Sequence, residues 1–195
     1  TDTHTHLYLP EFDNDREAML QRAVAKGIKK IFLPNIDSTS ITRMLELEAA
    51  HPEWIHAMMG LHPCSVQENY KEELAIVKQW LDKRAFCAIG EIGIDLYWDK
   101  TTLPLQLDAF KMQCAWAVEK NIPIVIHCRE AFDEIYEVLV ELKTQYSNQL
   151  RGIFHCFSGT LEQAKKVIDL GFYLGIGGVV TYKKAGLAEV IKDIP

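Results

Sequence analysis

The chain has 195 residues, 48% of them apolar and 25% charged, with 21 basic against 27 acidic side chains and a formal net charge of −6. That length supports one substantial core; no apolar run approaches the roughly 20 residues of a bilayer span, and no basic segment leads into an apolar one as in a secretory leader. Nor is there the broad basic face of a protein that coats a duplex, so any contact with nucleic acid is expected to be local, at an end or a single phosphate.

In chain order, short β-type runs alternate with longer amphipathic stretches. The opening DTHTH (2–6) reads as the first strand. Helix 15–27 follows, with Met19, Leu20, Ala23 and Val24 on one face and Gly27 as its stop. Strand 29–36 precedes helix 38–52, which opens on Ser and Thr capping candidates and ends at a proline. The remaining pairs are strand 55–63 with helix 72–84, 86–95 with 105–121, 123–130 with 131–146, 151–158 with 160–171, and 172–180 with 185–195. Cys64, Cys87, Cys114, Cys128 and Cys156 are odd in number and contain no CxxC. They predict reduced thiols and a cytoplasmic setting. Alternation puts Cys128 and Cys156 in the core, and helical spacing does the same for Trp80, Met112 and Trp116.

Strict βα alternation implies a parallel sheet, either doubly wound or closed into a barrel. The doubly wound option is weakened because no Gly-rich dinucleotide fingerprint follows the first strand and no P-loop occurs. His4, His6, His62, Glu91, His127 and His155 all fall at or near the C-terminal ends of predicted strands. A (β/α)8 barrel gathers those ends at one mouth. The expected fold is therefore a single α/β domain over 1–195, a (β/α)8 TIM-like barrel with seven βα units in the sequence. The eighth is expected beyond Pro195, and Thr1 is expected to lie inside the first strand.

Residues two apart on a strand share a face, so His4 and His6 project together, about 6.5–7 Å apart along the chain. Neutral imidazole suits Zn, Fe, Ni and related ions. Alone, the pair reads equally well as a surface histidine pair. His127 closes PIVIHC and His155 closes GIFHC, the same point in successive units. Glu91, in AIGEIGID, places a carboxylate at the end of a buried strand, which is costly unless it is paired or metal-bound. A Lys or Arg partner would also satisfy it. Four histidines and one glutamate exceed the needs of one tetrahedral ion. They suit two divalent ions (Mg, Mn, Zn or Fe) bridged by Glu91, the usual device for phosphoester hydrolysis.

DTHTH, GLHP, GEIGID, HCRE and HCFSG stand in an order and at spacings that resemble the TatD-type metal-dependent deoxyribonucleases, a branch of the amidohydrolase-like barrels. The resemblance runs from residue 2 through the seventh strand. It implies a nuclease that cleaves DNA phosphodiesters. His4, His6 and Glu91 would hold one ion, and Glu91, His127 and His155 the other, with His62 and Arg129 on substrate phosphate. Arg129 suits phosphate independently, through its planar fork, and pairing with Glu130 or Asp133 competes. The family's further Asp, after its eighth strand, would lie beyond Pro195, so the residue that handles the water proton is left unassigned.

Tyr97 and Trp98 follow GIDL at a mouth loop, where they either stack on a base or cover the barrel. Asp95 is placed to orient a neighbouring loop or histidine. Ser158 offers phosphate a hydroxyl near a helix start, or caps that helix. The leading expectation is a two-metal exonuclease-like enzyme acting on single-stranded or frayed DNA ends, with no membrane and no protein partner. The alternatives are a deacylase of D-aminoacyl-tRNA or another ester or amide hydrolase on the same barrel, a histidinol-phosphatase-like enzyme, against which GEIGID and HCFSG speak, and a catalytically inactive metal- or phosphate-binding barrel.

Overall fold

A computed structural model describes residues 1–194. Its strands are β1 (Ile31–Leu33), β2 (Ile55–Ala57), β3 (Ile89–Asp95), β4 (Ile124–Arg129), β5 (Gly152–Phe154) and β6 (Tyr173–Leu174). Between and after them run α1 (Arg16–Ala25), α2 (Ile41–Ala50), α3 (Tyr70–Lys83), α4 (Leu103–Lys120), α5 (Phe132–Tyr146), α6 (Leu161–Asp169) and α7 (Leu187–Val190). All strand pairs are parallel: β1 with β2, and β3 through β6 in sequence order. Isolated parallel bridges, Asp2 to Ile31 and Met59 to Ile89, join the opening segment to β1 and β2 to β3. Every strand therefore neighbours its successor, the order of a (β/α)8 barrel; six βα units follow an opening segment that leads into α1 and, in place of the expected strand 2–6, pairs through the single bridge at Asp2.

The alternation of side chains separates two layers. Ile31 and Leu33, Ile124 and Ile126, and Phe154 belong to the main core, packed with Leu74, Val77, Phe110, Ile135 and Leu139 of the helices. The other face supplies a smaller cluster of Met58, Ala88 and Val125, flanked by Phe32, Cys87 and Ile153. These positions lie on or directly beside five successive strands. His127 lies two residues beyond Val125 on β4, so the same alternation aims it at the mouth, and His155 follows directly after β5. No helix among the described residues is long and apolar enough to cross a membrane.

Several expectations need correction. The strands are shorter than the sequence predicts, because the residues after each strand turn into loops at the mouth. β5 ends at Phe154, so alternation no longer applies at Cys156, which is exposed with φ 47° instead of buried in the core. Cys128, Trp80, Met112 and Trp116 are half-buried against the core. Val24 is exposed, which leaves Leu20 as the buried residue of α1. The expected helix 185–195 is one turn of α-helix, Leu187–Val190, followed by a 3-10 turn, Ile191–Asp193, with Leu187 its one buried anchor; Pro195 lies outside the described residues.

Candidate metal centre

The opening segment is tied down before it reaches the site. Asp2 N–H donates to the Lys30 carbonyl (2.8 Å), and the Asp2 carbonyl accepts from Phe32 N–H (3.1 Å). From this anchor His4 and His6 reach the same oxygen of Glu91, with Nε2 at 2.9 and 3.4 Å from Oε2. The other oxygen, Oε1, lies 2.7 Å from His127 Nδ1 and 3.6 Å from His62 Nε2. His155 stacks on His4, ring centroids 3.3 Å apart. Two groups of three possible donor atoms, His4–Glu91–His155 and His62–Glu91–His127, each span no more than 4.8 Å and share Glu91; they set His155 beside His4 and His62 beside His127, unlike the sets the resemblance implies. Residues 4 and 155, at opposite ends of the sequence, meet because every unit delivers its strand end to one mouth.

Glu91 is 2% exposed, and its partners are imidazoles, not Lys or Arg. Burial pushes its carboxyl up, but hydrogen bonds from His127, His4, His6 and His62 prevail and hold it well below the usual range. Burial disfavours charge on His127, yet the Glu91 and Asp95 carboxylates raise it above the ordinary imidazole value. His155 is pushed down to about 4 by burial and by the neighbouring His4, so it is a neutral lone-pair donor at pH 7. His4 Nδ1 is buried with no hydrogen-bond partner among the described residues. One ionised carboxylate within a shell of imidazole nitrogens is a donor set for borderline divalent cations, and these residues fit a metal.

A second layer orients the ligands. His127 Nε2 donates to Asp95 Oδ2 at 2.8 Å, which leaves Nδ1 toward Glu91. That is the carboxylate–histidine arrangement which fixes the tautomer of metal ligands. Asp95 lies on β3 as expected, held by Gln106, whose Oε1 accepts from Asp95 N–H (2.8 Å). Burial raises its carboxyl, while hydrogen bonds from His127 and the Tyr97 N–H bring it below the usual value. Tyr8 has no role in the sequence-based expectations. Its hydroxyl donates to the Pro34 carbonyl (2.6 Å) and lies 2.9 Å from His6 Nδ1. Asn35, fully buried, is a second addition. Its side-chain amide donates to the Gly60 carbonyl (2.8 Å), its backbone N–H to Gly90 (3.0 Å), and its carbonyl accepts from Glu91 N–H (3.2 Å). It ties the segment after β1 to the segment after β2 and to β3 at Gly90 and Glu91. Its signal in the sequence is a polar side chain closing an apolar run, LPN, the same signal that marks the histidines.

The other expected residues occupy the rim. Arg129, exposed at the end of β4, places its guanidinium carbon 3.7 Å from the Tyr97 ring centre. Among the described residues it makes no ion pair with Glu130 or Asp133. Ser158 is exposed in a cleft of about 410 Å³ that also reaches His155 and Gly159. It does not cap α6. That cap is Thr160, whose hydroxyl accepts from Gln163 N–H while the Gln163 side chain accepts from Thr160 N–H. Cys64 follows His62 and Pro63; its thiol is pushed up to about 12 by burial and by the Asp95 carboxylate.

Comparisons with known proteins agree with this arrangement. The sequence model of the TatD related DNase family matches residues 1–195. The uncharacterised metal-dependent hydrolase YabD of Bacillus subtilis is 37% identical over 195 residues, covering 100% of this chain and 75% of its own length. The 3'-5' ssDNA/RNA exonuclease TatD of Pantoea ananatis is 29% identical over 196 residues, covering 100% and 74%. The crystal structure of YJJV, a TatD homologue from Escherichia coli K12, superposes with a TM-score of 0.90 at 32% identity, covering 100% of this chain and 74% of that one. With its parallel βα units and this match along its full length, the chain belongs to the TatD related DNase family of metal-dependent hydrolases.

Proposed function

We infer that the chain is a single barrel domain that hydrolyses phosphodiester bonds at single-stranded ends of DNA, with RNA as a second substrate of the same chemistry. The observation that carries this reading is the buried Glu91 carboxylate, both oxygens of which face imidazoles while, among the described residues, no Lys or Arg pairs with it. His4, His6, Glu91, His127 and His155 would together hold two divalent ions, with Glu91 common to both. Bound there, the ions supply Lewis acidity toward phosphoryl oxygens and activate water.

The chain's own residues do the rest. Asp95 fixes the His127 ring and Tyr8 the His6 ring, so the donor atoms are set before metal arrives. Arg129, exposed on the rim, presents a planar fork for phosphate oxygens. His62, beside Glu91 and His127, offers an imidazole to the same phosphate. A net charge of −6 suits this mode, because the ions supply locally the positive charge that the surface lacks. The name of the Pantoea relative supports a single-stranded substrate, and the free thiols support a cytoplasmic setting.

The test is metal content and hydrolysis of an end-labelled single strand by wild type, Glu91→Gln and His127→Ala. Both variants are expected to lose metal and to drop at least about 100-fold in turnover, beyond the 10–100-fold typical of residues that only orient ligands. Full activity in either variant would overturn the site. Hydrolysis of a misacylated tRNA without cleavage of the strand would move the reading to ester bonds.

A further inference from the structure

Tyr97 and Trp98 are 49% and 71% exposed, and they meet edge to face with ring centroids 4.7 Å apart and planes at 89°. At that exposure Trp98 covers little of the barrel. The pair is nevertheless held in place. Tyr97 N–H donates to Asp95 Oδ1 (3.0 Å) and Leu96 N–H to the Arg129 carbonyl (2.9 Å). On the far side Thr101 N–H and hydroxyl both donate to Asp99 Oδ1. Arg129 stacks on Tyr97 and lies 5.5 Å from the Trp98 ring centre. Among the described residues its guanidinium N–H groups have no side-chain or backbone acceptor, so stacking positions the fork while its donors face solvent.

The two strands carry two tiers. In the register of β3 and β4, Asp95 opposes Arg129. The lower tier is Asp95 with His127, at 2.8 Å. The upper tier, two residues further along each chain segment, is Tyr97, just past the end of β3, with Arg129 at the end of β4. A cation with free donors and an exposed aromatic pair thus stand directly above a metal ligand. A nucleotide presents the complementary order: a phosphate, and one sugar away a flat ring with a π-face.

We propose that Tyr97 and Trp98 form a stacking platform for one unpaired nucleobase at the strand end, with Arg129 on the adjoining phosphate. The proposal rests on the nuclease reading above and narrows its substrate. A base must be unstacked to reach the platform, which selects single-stranded ends over blunt duplex ends. Every base has a π-face, so the platform is tolerant of sequence.

The experiment measures binding, by fluorescence anisotropy, of the full chain in EDTA to a short labelled single strand and to the same strand with abasic terminal residues. Stacking is worth on the order of tenfold in affinity per base, so wild type is expected to bind the base-bearing strand about tenfold more tightly. In Trp98→Ala that ratio should fall to near one, and in Trp98→Phe most of it should remain. A ratio that Trp98→Ala leaves unchanged, or that is near one in wild type, overturns the platform. Hydrolysis with added manganese is read separately. Cleavage with no base effect retains the nuclease and removes the platform. A base effect lost in Trp98→Ala, without cleavage, retains the platform and removes the nuclease.

Discussion

The Tyr8 hydroxyl carries one proton and gives it to the Pro34 carbonyl. Burial pushes the phenol further above its ordinary value, so that proton stays in place. Toward His6 the oxygen therefore acts only as an acceptor, which puts a proton on Nδ1 and leaves Nε2, the nitrogen that faces Glu91, as the one that would serve a metal. A side chain 1% exposed thus selects the tautomer that a metal requires. Tyr8→Phe removes the acceptor and little volume. Metal affinity by chelator competition is expected to fall about 10- to 100-fold, and the ¹⁵N shift of His6 Nδ1 in the metal-free protein should change as its acceptor is lost. Unchanged affinity together with an unchanged shift would show that the hydroxyl serves only Pro34.

At the scale of elements, β3 and β4 make the closest approach in the site. Gly93 lies opposite His127 in register with φ +143°, and a Cβ there would stand 2.0 Å from the His127 carbonyl oxygen. No side chain fits without moving the strand that carries His127. Gly93→Ala is expected to cost about 3 kcal/mol or more from overpacking and backbone strain together, measured by urea denaturation; a loss below about 1 kcal/mol would show that β4 yields easily. The sequence displays this spot as GEIGID, where two glycines flank the carboxylate; His4, His6 and His127 meet it and His155 stacks on His4, although Glu91 is the third residue of β3 and not at its end. What the sequence did not display follows from distance along the chain. Asn35 acts on Gly60 and Gly90, and Tyr8 acts through a carbonyl 26 residues away. Neither partner has a side chain that marks it. The start of α6 agrees with the sequence reading of a helix from 160, and its cap is Thr160, which removes the capping alternative for Ser158. The last helix is one turn, with Leu187 buried and Val190, Ile191 and Ile194 half-buried against the core.

For the whole molecule, the metal-free protein concentrates its electrostatic stress at one mouth, and this gives its stability a peaked pH dependence. His155, with a folded-state value near 4 against 6.5 for the free imidazole, contributes fully above about 6.5 and loses that contribution as pH falls toward 4. Glu91, held low by its histidines, likewise contributes at neutral pH and loses its share in acid. His127 runs the other way. Its folded-state value is raised, so its contribution is complete below 6.5 and is lost as pH rises through that raised value. Thermal stability in EDTA should therefore be greatest near neutrality and decline on both sides. Metal reverses the alkaline limb, because a bound ion needs the His127 lone pair and competes with its proton. The difference in Tm between zinc-loaded and EDTA-treated protein is expected to widen as pH rises through the His127 value and to shrink in acid. Scanning fluorimetry across this range, with and without zinc, measures both limbs. In His127→Gln the alkaline decline in EDTA should flatten while the acid limb, set by His155 and Glu91, persists. A zinc-dependent Tm increment independent of pH would mean that the ion binds away from these histidines.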